Sequence, residues 1–237
     1  MSPVSAEDIA RRRAEILARI ARAAERRHRN PAAVSLMAVT KMHSAETVAN
    51  AARAGISLFG ENRVQEAAAK MRALKADLPG LEWRLIGPLQ TNKAKTAIQW
   101  FQVVESVDRE RLAARLEALL AGGSRVLPVL LEVNLGGEES KSGIAPAETE
   151  GLARAVLACP HLSLQGLMAV PPFDADPERS RPHFAALREL RDGLADRLGR
   201  PLPELSMGMS HDFAVAVEEG ATEVRVGTAL FGPREAA

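Results

Sequence analysis

Short apolar runs alternate with amphipathic segments along most of this chain. From residue 35 onward, eight runs have the length and composition of buried strands: SLMAVT, SLFGEN, EWRLIGP, FQVVES, VLPVLLEVN, LSLQGLMAV, ELSMG and TEVRVGT. Helical patterns lie between most of them: SAETVANAARAG, RVQEAAAKMRALKADL, DRERLAARLEALLAGG, AETEGLARAVLAC and ERSRPHFAALRELRDGLADRLG. Regular alternation of this kind predicts a parallel sheet with helices packed outside it.

Eight strand–helix units in about 200 residues favour an α/β fold of the (β/α)8 TIM barrel type. A doubly wound open sheet is the alternative, but no G-x-G-x-x-G turn follows the first strand. No low-complexity linker or internal repeat divides the chain. We therefore expect a single domain over residues 1–237, with the barrel at about 35–234.

The first segment of the chain predicts an additional N-terminal helix at about residues 5–29. Ile9 and Ile16 fall on one face at helical spacing, and Ser5 is a suitable N-cap. Only ALFGPREAA follows the last strand, so this helix is expected to cover that part of the barrel wall. The arginines around Arg26–Arg29 are interleaved with glutamates and not with aromatic residues, which favours a solvated face over RNA or membrane binding.

Composition narrows the class of protein. The 237 residues carry a formal net charge of +1, which argues against nucleic acid or an anionic membrane as partner. No apolar run approaches the roughly 20 residues of a membrane span, and the N-terminus lacks the apolar core of a secretion signal. The one cysteine, Cys159, excludes a disulfide framework. We expect a soluble, cytoplasmic monomer.

Several polar residues stand at or near the carboxyl ends of the predicted strands, where parallel barrels place their reactive groups. Strand alternation places Lys41 on the face of Met37, Asn62 on that of Gly60 and Arg225 on that of Gly227. If these are the inward faces, Lys41, Asn62 and Arg225 converge at the barrel mouth. Lys41 has two open roles, as a solvated strand-end lysine or as a reactive amine. Asn62 is expected to cap the following helix and also to border the site.

Arg225 lies between two valines in an apolar strand and keeps its charge when buried. Either a ligand or a carboxylate must meet it, and Glu132 and Glu223 are the candidate carboxylates.

The last two strand ends have features of a phosphate site. Ser210 and Thr228 offer hydroxyl groups where SMGMSHDF and VRVGTALFG turn into helices, and Gly208 and Gly227 allow close approach of a ligand to the backbone. Barrels often bind phosphate at the loops after these two strands. Together with Lys41 and Arg225, this arrangement predicts a pyridoxal phosphate pocket with an imine at the lysine.

Several motifs, in unbroken order from about residue 35 to 234, resemble the YggS/PROSC family of pyridoxal phosphate homeostasis proteins: LMAVTK, FGENRVQEA, LIGPLQTNKAK, VNLGGEESKSG, GLMAVPP, LSMGMSHDF and ATEVRVGTALFGPR. The resemblance implies the barrel of alanine racemase (fold type III) without its second, β-rich domain. It also implies seven cofactor-binding residues, with the Schiff base at Lys41, the pyridine nitrogen at Arg225, the ring near Asn62 and the phosphate at Met209, Ser210, Gly227 and Thr228. Arg84 is a departure, because the family commonly has histidine after this tryptophan.

The resemblance further implies a carrier or buffer of pyridoxal 5′-phosphate in intracellular vitamin B6 and amino-acid homeostasis, with transient contacts to apo enzymes that use this cofactor. A weak amino-acid racemase or lyase is the alternative. The chain contains no tyrosine, which removes the usual second base of a racemase and favours the carrier. The loop Gly136–Gly143 is interpreted either as solvated or as a lid in which Lys141 holds the aldehyde transiently.

Overall fold

A computed structural model describes residues 4–137 and 142–233 of the chain. In it, eight parallel strands follow one another around a closed barrel, and β1 completes the circle by pairing with β8. The strands are β1 (Ser35–Val39), β2 (Leu58–Glu61), β3 (Glu82–Leu85), β4 (Val103–Val107), β5 (Leu127–Glu132), β6 (Leu162–Met168), β7 (Glu204–Met209) and β8 (Glu223–Val226). The predicted (β/α)8 barrel is confirmed, and the open-sheet alternative is wrong.

The helices of the described residues surround this barrel. They are α1 (Ala6–Glu25), α2 (Ala45–Arg53), α3 (Val64–Leu74), α4 (Ala94–Trp100), α5 (Glu110–Leu120), α6 (Thr149–Leu157), α7 (Arg181–Leu198), α8 (Phe213–Glu218) and α9 (Thr228–Phe231). None of the helical patterns named from the sequence corresponds to α4, whereas α8 and α9 are the helices into which the last two strand ends were expected to turn. Helix α4 buries only two alanines, Ala94 and Ala97, so its apolar stripe is too weak to stand out as a helical period.

Alternate strand residues face opposite sides of the barrel wall. Phe59 and Trp83 point outward, where their rings lie 5.1 Å apart beneath the helices. Met37 and Gly60 point inward, because a Cβ added to Gly60 would lie 2.4 Å from the sulfur of Met37. The parity that Met37 sets for β1 carries on to Lys41, beyond the end of the strand. Lys41 itself lies in the turn after this strand, so its inward direction stays a prediction.

Helix α1 covers the wall next to the last strand, as predicted. Ser5 is its N-cap, and the Ser5 hydroxyl accepts a hydrogen bond from Asp8 N–H over 3.1 Å. The buried face of the helix, which includes Ile9 and Ile16, lies against α2, α8 and α9. This contact supplies the outer layer over this part of the barrel wall.

The arginines at the end of α1 contact other parts of the protein, although some of their side chains are largely exposed. Arg26 pairs with Glu218 over 2.7 Å while keeping a side chain 59% exposed. Arg29 donates to backbone carbonyls at the end of α8, including Ala221 O over 2.8 Å. The prediction of a purely solvated face is wrong for Arg29, because its guanidinium satisfies carbonyl groups that the helix end leaves unpaired. No helix among the described ranges is long and apolar enough to cross a membrane.

An ionic cluster fills the barrel interior near the amino ends of the strands. Arg84 Nη1 lies 2.5 Å from Glu204, 3.2 Å from Glu223 and 3.5 Å from Glu105. Glu105 and Glu223 are almost entirely buried. Burial and the neighbouring Glu105 carboxylate raise the pKa of Glu223 well above its ordinary value. The arginine that departs from the resembled family is therefore the cation that compensates these buried acids.

Replacing Arg84 by methionine should destabilise the protein by about 3–5 kcal/mol, because two buried carboxylates would lose their counter-charge. The measurement is urea unfolding of the full chain. The loss should shrink at about pH 5, where carboxyl groups more readily take up protons. Arg53→Met is the control, since Arg53 is exposed, and it should change stability by less than about 0.5 kcal/mol. Equal effects of the two substitutions would contradict the role assigned to Arg84.

Candidate functional site at the barrel mouth

The carboxyl ends of the strands bring the predicted site residues to one end of the barrel. Lys41 follows β1, and a ladder bond from Thr40 N–H to Gly60 O over 3.1 Å extends the pairing of β1 and β2 to the residue before it. Met37, which points inward, pairs in register with Arg225 on β8. Lys41 therefore follows the strand that is paired with the strand of Arg225, at the carboxyl end of the barrel.

Arg225 is 3% exposed and is held by oxygen atoms of neighbouring strands. Its Nη1 donates to the Ser206 carbonyl and hydroxyl oxygens, each over 2.8 Å, and its Nη2 donates to Ala169 O over 2.7 Å. Within the described residues, neither Glu132 nor Glu223 forms a direct ion pair with it. Glu223 instead accepts from the Ser206 hydroxyl over 2.8 Å. The sequence analysis expected a carboxylate or a ligand at Arg225 and did not foresee that Ser206 lies between Arg225 and Glu223.

Asn62 does not cap helix α3, contrary to the prediction. Arg63 occupies the N-cap position, and it makes no side-chain capping bond. The Asn62 Oδ1 atom is buried without a hydrogen-bond partner. A Cβ on Gly87 would lie 2.3 Å from Asn62 O, so only glycine lets the end of β3 pack this closely. This packing holds Asn62 at the mouth with its amide oxygen unsatisfied.

The loops after β7 and β8 meet through Ser210. The Ser210 hydroxyl oxygen accepts from Gly227 N–H over 3.1 Å and from Ala229 N–H over 3.2 Å. A hydroxyl has one donor hydrogen besides its acceptor sites, so Ser210 can still donate to a ligand. Thr228 is exposed beside this contact. Met209 lies on the same rim, but its N–H is donated to Asp212 over 2.7 Å, so this amide is already engaged.

Gly208 allows the turn that leads from β7 into the loop carrying Ser210. Its φ of +91° lies in the left-handed region, and a Cβ there would come within 2.5 Å of the Ala216 side chain. A larger residue would therefore be strained both by its backbone conformation and by α8. The glycine that the sequence analysis assigned to close ligand approach is needed first for the turn that presents Ser210.

Glu132 belongs to this site as well, although the sequence analysis considered it only as a partner of Arg225. It ends β5 with 7% exposure, and its Oε2 atom is buried without a hydrogen-bond partner. Burial, reinforced by the negative charge of Asp108, raises the pKa of Glu132 to about 7, while Arg225 acts in the opposite direction. An acid within the apolar run VLLEVN is the signal that could have identified it.

The residues present fit a small, polar and anionic ligand. Among the described residues, two buried oxygen atoms, on Asn62 and Glu132, have no hydrogen-bond partner and can accept from a donor group of a ligand. Lys41 and Arg225 supply positive charge, and the rim at Ser210 supplies a hydroxyl donor. Pyridoxal phosphate has the matching groups, namely an aldehyde for an amine, a ring nitrogen for a donor and a phosphate for the rim. Lys141 and its neighbours at 138–141 lie outside the described residues.

Replacing Glu132 by glutamine should stabilise the ligand-free protein above about pH 7, by up to roughly 3 kcal/mol. Folding raises the pKa of this carboxyl. Its contribution to the free energy of unfolding of the wild type is therefore fully present below the ordinary pKa and is lost as pH rises through about 7. The measurement is urea unfolding at about pH 4 and about pH 8. An exposed acid, Glu46, provides the matched control variant, Glu46→Gln. A stability difference that does not grow between the two pH values would contradict this assignment.

Comparison with known proteins agrees with this geometry. The family model of the alanine racemase N-terminal domain matches residues 13–235. The pyridoxal phosphate homeostasis protein of Aquifex aeolicus is 45% identical over 224 residues, covering 94% of this chain and 97% of that protein. Its counterpart in Pseudomonas aeruginosa is 48% identical over 227 residues, covering 96% of each.

Solved structures extend the comparison. PipY of Synechococcus elongatus PCC7942, solved with pyridoxal phosphate bound, has a TM-score of 0.83 and 38% identity, and the match covers 94% of this chain and 100% of PipY. Alanine racemase from Corynebacterium glutamicum has a TM-score of 0.71 at 20% identity, with 99% of this chain and 63% of the racemase covered, which shows a shared fold. The chain belongs to the family of pyridoxal phosphate homeostasis proteins, within the group that shares the alanine racemase N-terminal domain.

Proposed function

We propose that this chain binds pyridoxal 5′-phosphate at the barrel mouth and holds it as a Schiff base with Lys41. The observation that carries the proposal is the shared location of Lys41 and the Ser210–Gly227 contact at the carboxyl ends of the strands. PipY, solved with pyridoxal phosphate bound, supports the choice of ligand.

Each group of the ligand has a proposed partner. The cofactor supplies an aldehyde conjugated to a pyridine ring. Lys41 would hold the cofactor through this aldehyde, which condenses with a neutral amine and releases one water that carries the two amine hydrogens. Arg225 donates to the ring nitrogen, and Asn62 borders the ring. The phosphate is assigned to the rim formed by Met209, Ser210, Gly227 and Thr228.

Arg225 favours a carrier over a catalyst of amino-acid chemistry. A guanidinium keeps its proton, so it offers only donors to the ring nitrogen and leaves that nitrogen unprotonated. An unprotonated ring withdraws electrons from a neighbouring carbanion less strongly. The absence of tyrosine from the sequence removes the phenol that would move a proton on the second face. The residues at the mouth are thus better suited to holding the cofactor than to racemisation.

We further propose a cytoplasmic carrier or buffer that limits the free aldehyde and passes the cofactor to apo enzymes during transient contacts. Its relatives are named for pyridoxal phosphate homeostasis, which supports this role. The proposed form is a monomer. A net charge of +1 gives no field that would attract nucleic acid, so small molecules and proteins are the proposed partners.

Purified protein supplied with pyridoxal phosphate should absorb visible light, and borohydride should fix a pyridoxyl group on Lys41. The reason is that the reduction converts a Schiff base into a stable secondary amine. Peptide mass spectrometry locates the label. Lys41→Ala should lose the label, and Lys75→Ala, at an exposed lysine after α3, should retain it. Labelling at another lysine in the wild type would rule out the assigned position.

Ser210→Ala combined with Thr228→Ala should weaken binding of pyridoxal phosphate and leave binding of pyridoxal nearly unchanged. Each lost charge-assisted hydrogen bond should cost roughly 1.5–3 kcal/mol. Dissociation constants for both ligands, measured by spectroscopic titration, give the comparison. Ser163→Ala serves as the control, because Ser163 lies in the amino-terminal half of β6, away from the mouth. Equal weakening of both ligands would show that the two hydroxyls do not bind the phosphate.

A further inference from the structure

The residues on either side of Lys41 are both held from helix α3. Lys70 Nζ donates to the Thr40 carbonyl oxygen over 2.7 Å. Glu66 Oε1 accepts from Met42 N–H, also over 2.7 Å. Helix α3 therefore fixes the backbone immediately before and immediately after Lys41.

Two carboxylates hold Lys70 in turn. Its Nζ lies 2.7 Å from Glu61 Oε1 and 2.9 Å from Glu66 Oε1. The Thr40 hydroxyl donates to the same oxygen of Glu61 over 2.7 Å. We call Thr40, Glu61, Glu66 and Lys70 the Lys70 network. It couples the end of β1, the end of β2 and the first turns of α3.

Packing the barrel wall with the Lys70 network costs free energy, because charged groups must be removed from water. The side chains of Lys70 and Glu61 are 8% and 0% exposed, so both charges have left water. Burial raises the pKa of Glu61, against the opposing effect of Lys70. Apolar residues of similar volume usually stabilise a protein as well as a buried ion pair does. What the ion pair adds is directional hydrogen bonding to defined backbone atoms.

The turn that follows Lys41 needs such a restraint. Met42 has a φ of 66°, in the left-handed region that residues with a Cβ seldom occupy. Its side chain is 67% exposed, so packing contributes little to holding it. The bond from its N–H to Glu66, and the bond from His43 N–H to Thr40 O over 3.0 Å, hold this backbone conformation.

Lys70 is itself unsuited to imine formation. An ammonium group has three donor hydrogens, and three oxygen atoms, on Thr40, Glu61 and Glu66, surround this one. Imine formation requires an amine nitrogen that a carbonyl carbon can reach, whereas these three oxygen atoms enclose the Lys70 nitrogen. The two lysines therefore have different roles, although the Lys70 side chain donates to the carbonyl oxygen of the residue just before Lys41.

We infer that Lys70 and Glu66 are positioning residues for Lys41, fixing the turn from which its side chain enters the barrel mouth. This inference rests on the proposed Schiff base at Lys41. Its distinct claim is that the network controls the covalent part of binding and leaves the non-covalent part unaffected.

The experiment compares two ligands on the full chain. Pyridoxal 5′-phosphate can condense with Lys41, whereas pyridoxine 5′-phosphate carries an alcohol in place of the aldehyde and cannot. The ratio of their dissociation constants therefore reports the covalent contribution. The melting temperature of each ligand-free variant is recorded alongside, so that loss of folding is recognised separately.

Glu66→Ala and Lys70→Met should each lower the preference for pyridoxal phosphate by about tenfold or more, as expected when one hydrogen bond to a charged group is lost. Binding of pyridoxine phosphate should stay within about twofold of wild type. Glu66→Gln should largely retain the preference, because its amide oxygen can still accept from Met42 N–H. Glu46→Ala and Lys75→Met, at exposed residues, are the matched controls and should behave as wild type.

Lys41→Ala distinguishes failure of the proposed Schiff base from failure of the positioning inference. If it leaves the ratio of the two dissociation constants unchanged, the proposed Schiff base is wrong. If it removes the preference while Glu66→Ala and Lys70→Met leave it intact, the positioning inference alone is wrong. Equal weakening of both ligands by the two network variants would likewise overturn it, because that result is expected of a general structural defect. Should Lys70→Met fail to fold, Glu66→Ala decides, since Glu66 is only partly buried.

Discussion

The pairing of β1 with β8 is the constraint on which the candidate site depends. Met37 and Arg225 are partners in this pairing, so the first and last strands of the barrel hold their inward residues side by side. Lys41 is predicted to extend the same inward face beyond the end of β1. A shift of one residue in this register would exchange inward and outward residues of β8 and turn Arg225 towards the helices. Barrel closure and assembly of the site are therefore one structural event.

The interior of the barrel is polar from one end towards the other. Arg84 lies near Glu223, Glu223 accepts from Ser206, and Ser206 accepts from Arg225. These successive contacts lead from the amino ends of the strands to the barrel mouth. Charges in such a series restrict one another's orientation more strongly than they would in water, because the surroundings screen them less. The guanidinium at the mouth is thus oriented by groups that no ligand touches.

Sequence reasoning predicted the features that follow from the local hydrophobic period, namely the strands and the barrel. It missed the features that depend on which side chains come into contact. The alternation of apolar runs predicted the barrel, and strand parity predicted that Lys41 and Arg225 share an inward face. Parity does not reveal which side chain lies opposite, so the contact of Arg225 with Ser206 was not foreseen. Asn62 was misassigned for a related reason, because its residue type suits an N-cap while the close packing of Gly87 decides its position.

Closure through β8 also has a consequence for synthesis of the chain. Since β8 follows all other strands, β1 lacks one of its two neighbours until translation of the barrel is almost complete. An unpaired strand edge is a template for association with other chains. Helix α1 packs against α2 as well as α8 and α9, so part of its contact surface exists before the barrel closes. The contact of α1 with α2 can therefore form before β8 is synthesised, whereas one edge of β1 stays unpaired until β8 arrives.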